Sequence, residues 1–492
     1  MKEQKDQVNT THPDYDATVQ FRTEYNDVIA GTAALRAKGK AYLPQFPAET
    51  DESWKHRVAT ATLQNITAKT LETYCGLVFQ KPITLGEDVP KTFEDLAENI
   101  DNKGNHLNVF ARDLFEDSFE GWSCILVDAP TQRANDLGQQ KAMGLRPYWI
   151  EYCANDCINW DYQINPVSRR RELSLIVFRE TITRKSGTFT RETVTQYRVY
   201  MLEKGRVIWQ LWEEVKDART NKIEHILVGD GTIDKQTSIP VAVVGELGNA
   251  PPMMDLVYKN IEHYQTYSDY KSIIHKTCSP LFYTVNLDGE PTALASDTWF
   301  KCNEGGSIGF AEVAGSSIDR VEASLDNIKK EMAQLGLSML AGQNVQGDVT
   351  ATETMLDSIQ DTSALQVRAE QLKDAIEQAM YFTAQYNGET DGGSIELGAN
   401  WTQIALTAQD MQTMNTLVSD GNLSLESFLY YMERAGKLPP DVDAEEELER
   451  IKGEEATLTP VLNARAMPNE QEQAKKPPYL SYLPNLKTPT EE

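Results

Sequence analysis

The chain has 492 residues, enough for about three domains and a sizeable core. Its net charge of −27 argues against tight, sequence-independent DNA binding, which needs clustered Lys and Arg against phosphate. No apolar run reaches the roughly 18 residues of a membrane span, residues 1–16 lack a signal-peptide core, and the six cysteines are scattered without a CxxC pair, as in a reduced cytoplasmic protein.

Residues 1–15 read as a loose tail, and Asp16 to Lys38 as one helix ended by Gly39. Tyr42-Leu43-Pro44 opens an extended link. Thr50-Asp51-Glu52 then supplies an N-cap and an acidic first turn for a helix predicted to run to about Phe79, stopped by Lys81-Pro82. A further helix is predicted over Leu107 to Phe119, followed after Gly121 by an apolar strand, Trp122 to Val127. The apolar period then changes to two. Strands are predicted over Tyr148 to Tyr152, Ser174 to Thr183, Thr193 to Met201, Val207 to Trp212 and His225 to Val228. Glu203-Lys204-Gly205 reads as a hairpin turn, and residues 120–247 as a mostly antiparallel β region.

The most organised stretch is Ile239 to Asn387. A helix is predicted from Met253 to Thr277, ended by Pro280. A compact insert runs to about Arg320, with short strands at Leu281 to Asn286 and Ser307 to Ala311 and a helical turn at Ser296 to Lys301. The second helix, Ser324 to Leu340, carries Leu325, Ile328, Met332, Leu335 and Met339 on one stripe. Gly342 and Gly347 bracket a polar loop, Ala341 to Val349. Thr350-Ala351-Thr352-Glu353 has capping-box spacing and opens a helix free of Gly until Gly388, a rod of roughly 55 Å. Met355, Ile359, Leu365, Ala369, Leu372, Ile376 and Met380 mark its apolar side. Gly392-Gly393 leads to a short strand, Ser394 to Leu397, and short helices follow at Thr407 to Val418, Ser424 to Ala435 and Ala444 to Lys452. Glu445 to Glu455 reads as a solvated acidic face. Residues 456–492 read as an extended or disordered proline-rich tail.

Signs of catalysis are superficial. Gly305-Gly306-Ser307-Ile308-Gly309 matches G-x-S-x-G, but that pattern works only on a sharp strand-to-helix turn, and these glycines read as a hairpin. Asp326 and Lys330 read as a surface i, i+4 pair. His263 and His275 read as packing or hydrogen-bonding residues. There is no GxxxxGK loop, HExxH or Cys/His cluster. The expectation is therefore a protein that is not an enzyme, with no catalytic residue, metal or cofactor.

The order helix, small insert, helix, Gly-flanked loop, long helix resembles one family, and specific residues carry the likeness. Near the N-terminus they are Tyr42-Leu43-Pro44, Arg57, Asn65, Gly76, Phe79 and Lys81-Pro82. Next come Gly121, Val127-Asp128, Pro147-Tyr148 and Ile158-Asn159-Trp160. The most specific are Asp255-Leu256, Asn260-Ile261, His263-Tyr264, Ser268-Asp269-Tyr270, His275 and Pro280, followed by Thr350 to Glu353, Ser363 and Leu365. Together, in order and spacing, they resemble the portal proteins of tailed bacteriophages, the head–tail connector rings.

The resemblance implies an α+β, multi-region subunit forming a closed ring, usually of twelve copies. Residues 16–252 would be the wing, 253–277 and 323–340 the two stem helices, and 278–322 the clip. Residues 341–349 would be the tunnel loop, 350–400 the long wing helix and strand, and 401–455 the crown. It also implies a channel at one capsid vertex through which double-stranded DNA is packaged and ejected without sequence specificity. Implied partners are further copies of the chain, the terminase large subunit, the major capsid protein and the head–tail adaptor, with no membrane. The ring would assemble in the bacterial cytoplasm and end in the virion. Within this frame Gln343, Asn344, Val345, Gln346 and Asp348 are the candidate tunnel-loop residues. Lys271, Lys276, Lys329 and Lys330 are stem cations that could face the lumen, with solvent or intersubunit pairing as the alternative. Val257, Ile261, Tyr264, Leu325, Ile328, Met332 and Leu335 are the candidate stem-packing residues. The alternatives are a different structural or scaffold-like assembly protein and a metal- or serine-dependent enzyme.

Overall fold

Left-handed and extended backbone breaks, rather than prolines, shape the N-terminal helices of the computed structural model. It describes residues 7–130, 143–216, 222–277, 281–287, 302–311, 316–338, 364–398, 418, 424–434, 447–448 and 450–451. Two helices, α1 (Pro13–Ala30) and α2 (Thr32–Lys38), replace the single one expected over Asp16 to Lys38. The break is Gly31, at φ 85°, a backbone that residues with a Cβ adopt only with strain. Likewise α3 (Asp51–Thr60) and α4 (Ile66–Val78) replace one helix from Thr50 to Phe79. Thr50 caps α3 as expected, its hydroxyl accepting from the Ser53 amide at 3.2 Å. The second break holds neither Gly nor Pro. Ala61 is extended, and Asn65 starts α4 by accepting from the Ala68 amide at 3.0 Å.

A two-residue strand β1 (Thr84–Leu85), helices α5 (Lys91–Ala97) and α6 (Leu107–Ser118), and strands β2 (Trp122–Asp128) and β3 (Tyr148–Cys153) follow. Next, β4 (Cys157–Ile164), β5 (Arg171–Lys185), β6 (Arg191–Glu203), β7 (Arg206–Lys216) and β8 (Ile223–Ile233) form an antiparallel meander in chain order. The strand β9 (Val241–Gly245) returns to pair with β2, giving a second sheet, β3-β2-β9. All six expected strands of this region are present, each longer than the sequence indicates, while β4 and β9 are additions. Lys204 and Gly205, both at positive φ, join Glu203 to Arg206 in a two-residue turn of the kind that matches strand twist.

Alternation along β2 divides the first unit into two cores. Trp122, Cys124 and Leu126 face the five-stranded sheet, with Tyr152, Phe178 and Tyr200. Ile125 and Val127 face the helices, with Phe93, Phe110 and Phe115. The three-stranded sheet is thus a middle layer, buried on both sides, and its near-continuous apolar sequence follows from that.

The rest of this unit is α7 (Met254–Thr277), β10 (Leu281–Leu287), β11 (Cys302–Ala311), α8 (Ser316–Ser338), α9 (Ala364–Asn387) and β12 (Ile395–Glu396), which pairs with β1. Helix α8 begins eight residues before the expected Ser324. Helix α9 lies on β9, β2 and α6 and buries Leu365, Ala369, Leu372, Ile376 and Met380. It is pinned by the Trp149 indole, which donates to Thr383 Oγ1 at 2.9 Å. The chain divides into two units, Met1–Ile404 and Ala405–Glu492. In the second, α10 (Leu425–Arg434) is capped by Ser424 Oγ, which accepts from the Ser427 amide at 3.1 Å. The helical turn at 296–301, the loop 341–349, the start of the long helix at 350–363, most of the helices at 407–418 and 444–452, and the tail 456–492 lie outside the described residues.

Candidate functional site

Two helices and the hairpin between them form the most distinctive unit. Helices α7 and α8 pack side by side, and Lys259 near the start of α7 pairs with Glu331 of α8 at 2.8 Å. That pairing makes the helices antiparallel. Lys259 also meets Glu262 at 3.0 Å, and the two carboxylates raise its pKa. Their far ends lead to β10 and β11, which pair in register from Leu281↔Ala311 to Val285↔Ser307, with an irregularity before Leu287↔Cys302.

The base of α7 is tied into the helical core. Asn260, fully buried, accepts from the Thr67 amide at 3.1 Å and the Thr67 hydroxyl at 3.0 Å, and donates to the Gln64 carbonyl at 2.9 Å. Halfway along, Asp269 meets Arg57 at 3.3 Å, and Arg57 also binds Glu49 at 2.7 Å. Burial raises the Asp269 pKa and Arg57 opposes the shift. On α8, the Tyr74 hydroxyl of α4 donates to the Gly336 carbonyl.

The candidate stem-packing residues all lie in this contact. Val257, Tyr264, Leu325, Ile328 and Met332 are buried, and Ile261 and Leu335 pack against the same core. This chain's own helices cover them: α7 packs on α1, α3 and α4 as well as α8. The part of the stripe from Leu325 to Leu335 is therefore covered inside the subunit, and Met339 lies outside the described residues. Other apolar residues of α7 stay partly exposed, among them Met254, Ile261 and, nearer the hairpin, Ile274, while Tyr258 is 44% exposed.

Three buried polar groups of α7 have no hydrogen-bond partner among the described residues: both ring nitrogens of His263, the Tyr264 hydroxyl and Ser268 Oγ. Burial, and secondarily Lys329, lowers the His263 pKa. Its ring stacks on Tyr267 at 5.8 Å. His275 is exposed and stacks with His56 of α3 at 6.3 Å.

The candidate cations fall in different surroundings. Lys271 lies over the Tyr267 ring at 4.6 Å and donates to Thr62 Oγ1 at 3.3 Å, toward α3 rather than away from the body. Lys329 pairs with Asp326 at 3.7 Å, an i, i+3 contact, so the expected Asp326–Lys330 pair is replaced by its neighbour. Lys330 is exposed. The Lys276 side chain and the loop residues Gln343, Asn344, Val345, Gln346 and Asp348 lie outside the described residues.

The G-x-S-x-G stretch lies inside β11, with Ser307 opposite Val285, rather than on a strand-to-helix elbow. Its glycines are strand residues, not the hairpin's turn, and Tyr283 covers Gly309, whose missing side chain leaves room for the ring. Among the described residues no three His, Cys, Asp or Glu side chains converge where a metal could be held, and no helix is long and apolar enough to cross a membrane.

What the sequence does not reveal is the set of long-range ties: Lys259 to Glu331, Asn260 to Thr67 and Arg57 to Asp269. Each partner is an ordinary polar residue on its own helix, and only the packing brings them together.

A family model described as a domain of unknown function, DUF4055, matches residues 252–387. The match opens just before α7 and closes at the last residue of α9, so it spans the two-helix unit and its hairpin. The family is typical of phage proteins. No curated protein matches the chain.

Proposed function

We propose that the chain is a portal-type subunit of a tailed bacteriophage, and that copies of it close into a ring around a channel for double-stranded DNA. The observation that carries this reading is the hairpin β10–β11 at the end of two antiparallel helices. Tyr283, Val285 and Ile308 on it are substantially exposed. A two-stranded ribbon with bare apolar residues is marginal alone, and neighbouring copies in a ring would cover it. The family match over this same unit, in a family typical of phage proteins, supports the reading independently.

The charge of the whole subunit supports a channel. DNA carries about one negative charge per 1.7 Å, and subunits of net charge −27 repel it within a screening length of roughly 8 Å, while the nearly balanced charges of α7 and α8 give it little to bind. The polymer then slides without being gripped. In this reading α7 and α8 are the stem, the hairpin is the clip that meets terminase and later the adaptor, and residues 341–349 reach the DNA. The body of strands and helices is the wing, seated among the major capsid proteins. The ring does no chemistry of its own.

Mass tests the reading directly. Twelve copies of a 55.3 kDa chain weigh roughly 660 kDa, and a closed ring allows no larger open-ended series. A chain that stays monomeric at every concentration and salt tested contradicts it.

A further inference from the structure

Charge is distributed unevenly over this acidic chain. The five-stranded sheet, residues 157–233, holds thirteen Lys and Arg against ten Asp and Glu, a net of +3, so the remaining residues carry −30. The positive charge gathers where the sheet ends. The turn from β4 to β5 presents Arg169, Arg170 and Arg171, and the turn from β6 to β7 presents Lys204 and Arg206. The register Ile164↔Arg171, Leu175↔Met201 and Glu203↔Arg206 puts both turns at one end. All five side chains are exposed, and none forms an ion pair among the described residues. Arg171 alone is engaged, over the Tyr162 ring at 3.8 Å. Two bare aliphatics stand among them, Val167 at 91% and Ile164 at 67% exposure.

The opposite layer has the opposite sign. Across the middle sheet, Thr84 to Ser118 holds nine Asp and Glu against three Lys and Arg. Phe93 of α5 packs on Trp149 and belongs to the helical core, so this layer faces away from the five-stranded sheet. Glu94, Asp95 and Glu98 on and beside α5 are exposed.

From this arrangement we infer that the basic end of the five-stranded sheet docks on the acidic α5 layer of a second copy of the chain. The inference rests on the ring reading and adds the surface that closes it. A ring needs two unlike patches on each subunit, and a plus face and a minus face on opposite layers provide them. The exposed Ile164 and Val167 favour a protein partner over a polyanion, because an apolar centre rimmed by arginine suits a protein interface and contributes nothing against phosphate. Like-signed contacts in the reversed stacking are disfavoured, which sets the direction of assembly.

Charge reversal in the full chain tests it. Arg169 and Lys204 sit at φ 59° and 50°, so aspartate, which tolerates that backbone, replaces them. The variant is R169D/R170E/K204D, which spares Arg171 and the core. The expected result is assembly that needs at least about tenfold more protein than the wild type, by sedimentation at 0.1 M salt, with an unchanged circular dichroism spectrum. Adding E94R/D95R/E98R is expected to restore assembly. Reversed chains that assemble at wild-type concentrations overturn the inference and leave the ring reading standing. Reversed chains that assemble normally but lose retention of a DNA duplex at 50 mM salt also overturn it, in favour of a polyanion site. A wild type that never assembles overturns both.

Discussion

Asn260 and Thr67 join the base of α7 to the first turn of α4, entirely out of water. The Thr67 amide is one of the N-terminal donors that an α-helix leaves without an internal acceptor, and Asn260 Oδ1 supplies it from another helix. Asn260→Leu keeps the bulk and removes the acceptor, leaving a buried amide and hydroxyl to compete for nothing. The expected loss is ~1–3 kcal/mol, read as a lower urea midpoint with an unchanged slope. A midpoint equal to the wild type would show that the tie contributes little.

His263 makes folding acid-sensitive. Burial, and then Lys329, lowers its folded pKa, whereas the unfolded imidazole titrates near its ordinary ~6.5. As pH falls through that value, the unfolded chain takes up a proton that the folded one resists. This part of the stability is present above the unfolded pKa and is lost progressively below it. His263→Leu removes the titration. Its melting temperature should fall less than that of the wild type between pH 7 and pH 5. Parallel curves would refute the assignment.

Glu151 acts with the opposite sign. Burial, then Asp117 and Asp113, push its carboxyl up to about 9, and Asp117 is pushed up to about 7 by burial and Glu120. Folded, these acids keep protons that the unfolded chain releases above pH ~4. Their contribution to stability therefore declines as pH rises from there, through about 7 for Asp117 and about 9 for Glu151. Glu151→Gln mimics the protonated acid. It should match the wild type at pH 4.5 and exceed it at pH 9 by at least about 1 kcal/mol, measured by denaturant titration. Equal stability at both pH values would mean that Glu151 ionises normally in the fold.

Deleting Gln343 to Gln346 tests the proposed tunnel loop apart from assembly. The residues removed are uncharged and sit between the two glycines of the loop. The expected phenotype is rings of normal mass in particles that package or retain DNA poorly. Normal packaging by intact rings would remove the loop from the mechanism.

Local signals were legible in the sequence, and long-range ones were not. Thr50 announced its cap, Lys204-Gly205 its turn, and Leu325, Ile328 and Met332 their stripe, because each depends on neighbours a few residues away. The break at residues 61–65 left no trace, since it contains neither Gly nor Pro and is imposed by packing around Asn65. The early start of α8 is not legible because Ser316 to Ala323 lacks a dense apolar stripe. Strand β9, Val241–Gly245, lies in the doubly covered middle sheet and is apolar throughout, so it shows no period of two. In the candidate site, Leu325, Ile328, Met332 and Leu335 share one helix face, and what that face packs against is not legible in the spacing. That face meets α7 and α4 of the same chain, and the open apolar surface lies further out, on the hairpin.

Imaging the purified full-length protein at 0.1 M salt, down the axis of its particles, is the most direct measurement. The expected reconstruction is a closed ring with a central hole wide enough for a DNA duplex, walled by α7 and α8, with β10–β11 of adjacent copies in contact at one end. A reconstruction in which those two helices sit inside a solitary particle with no axial opening would contradict the account.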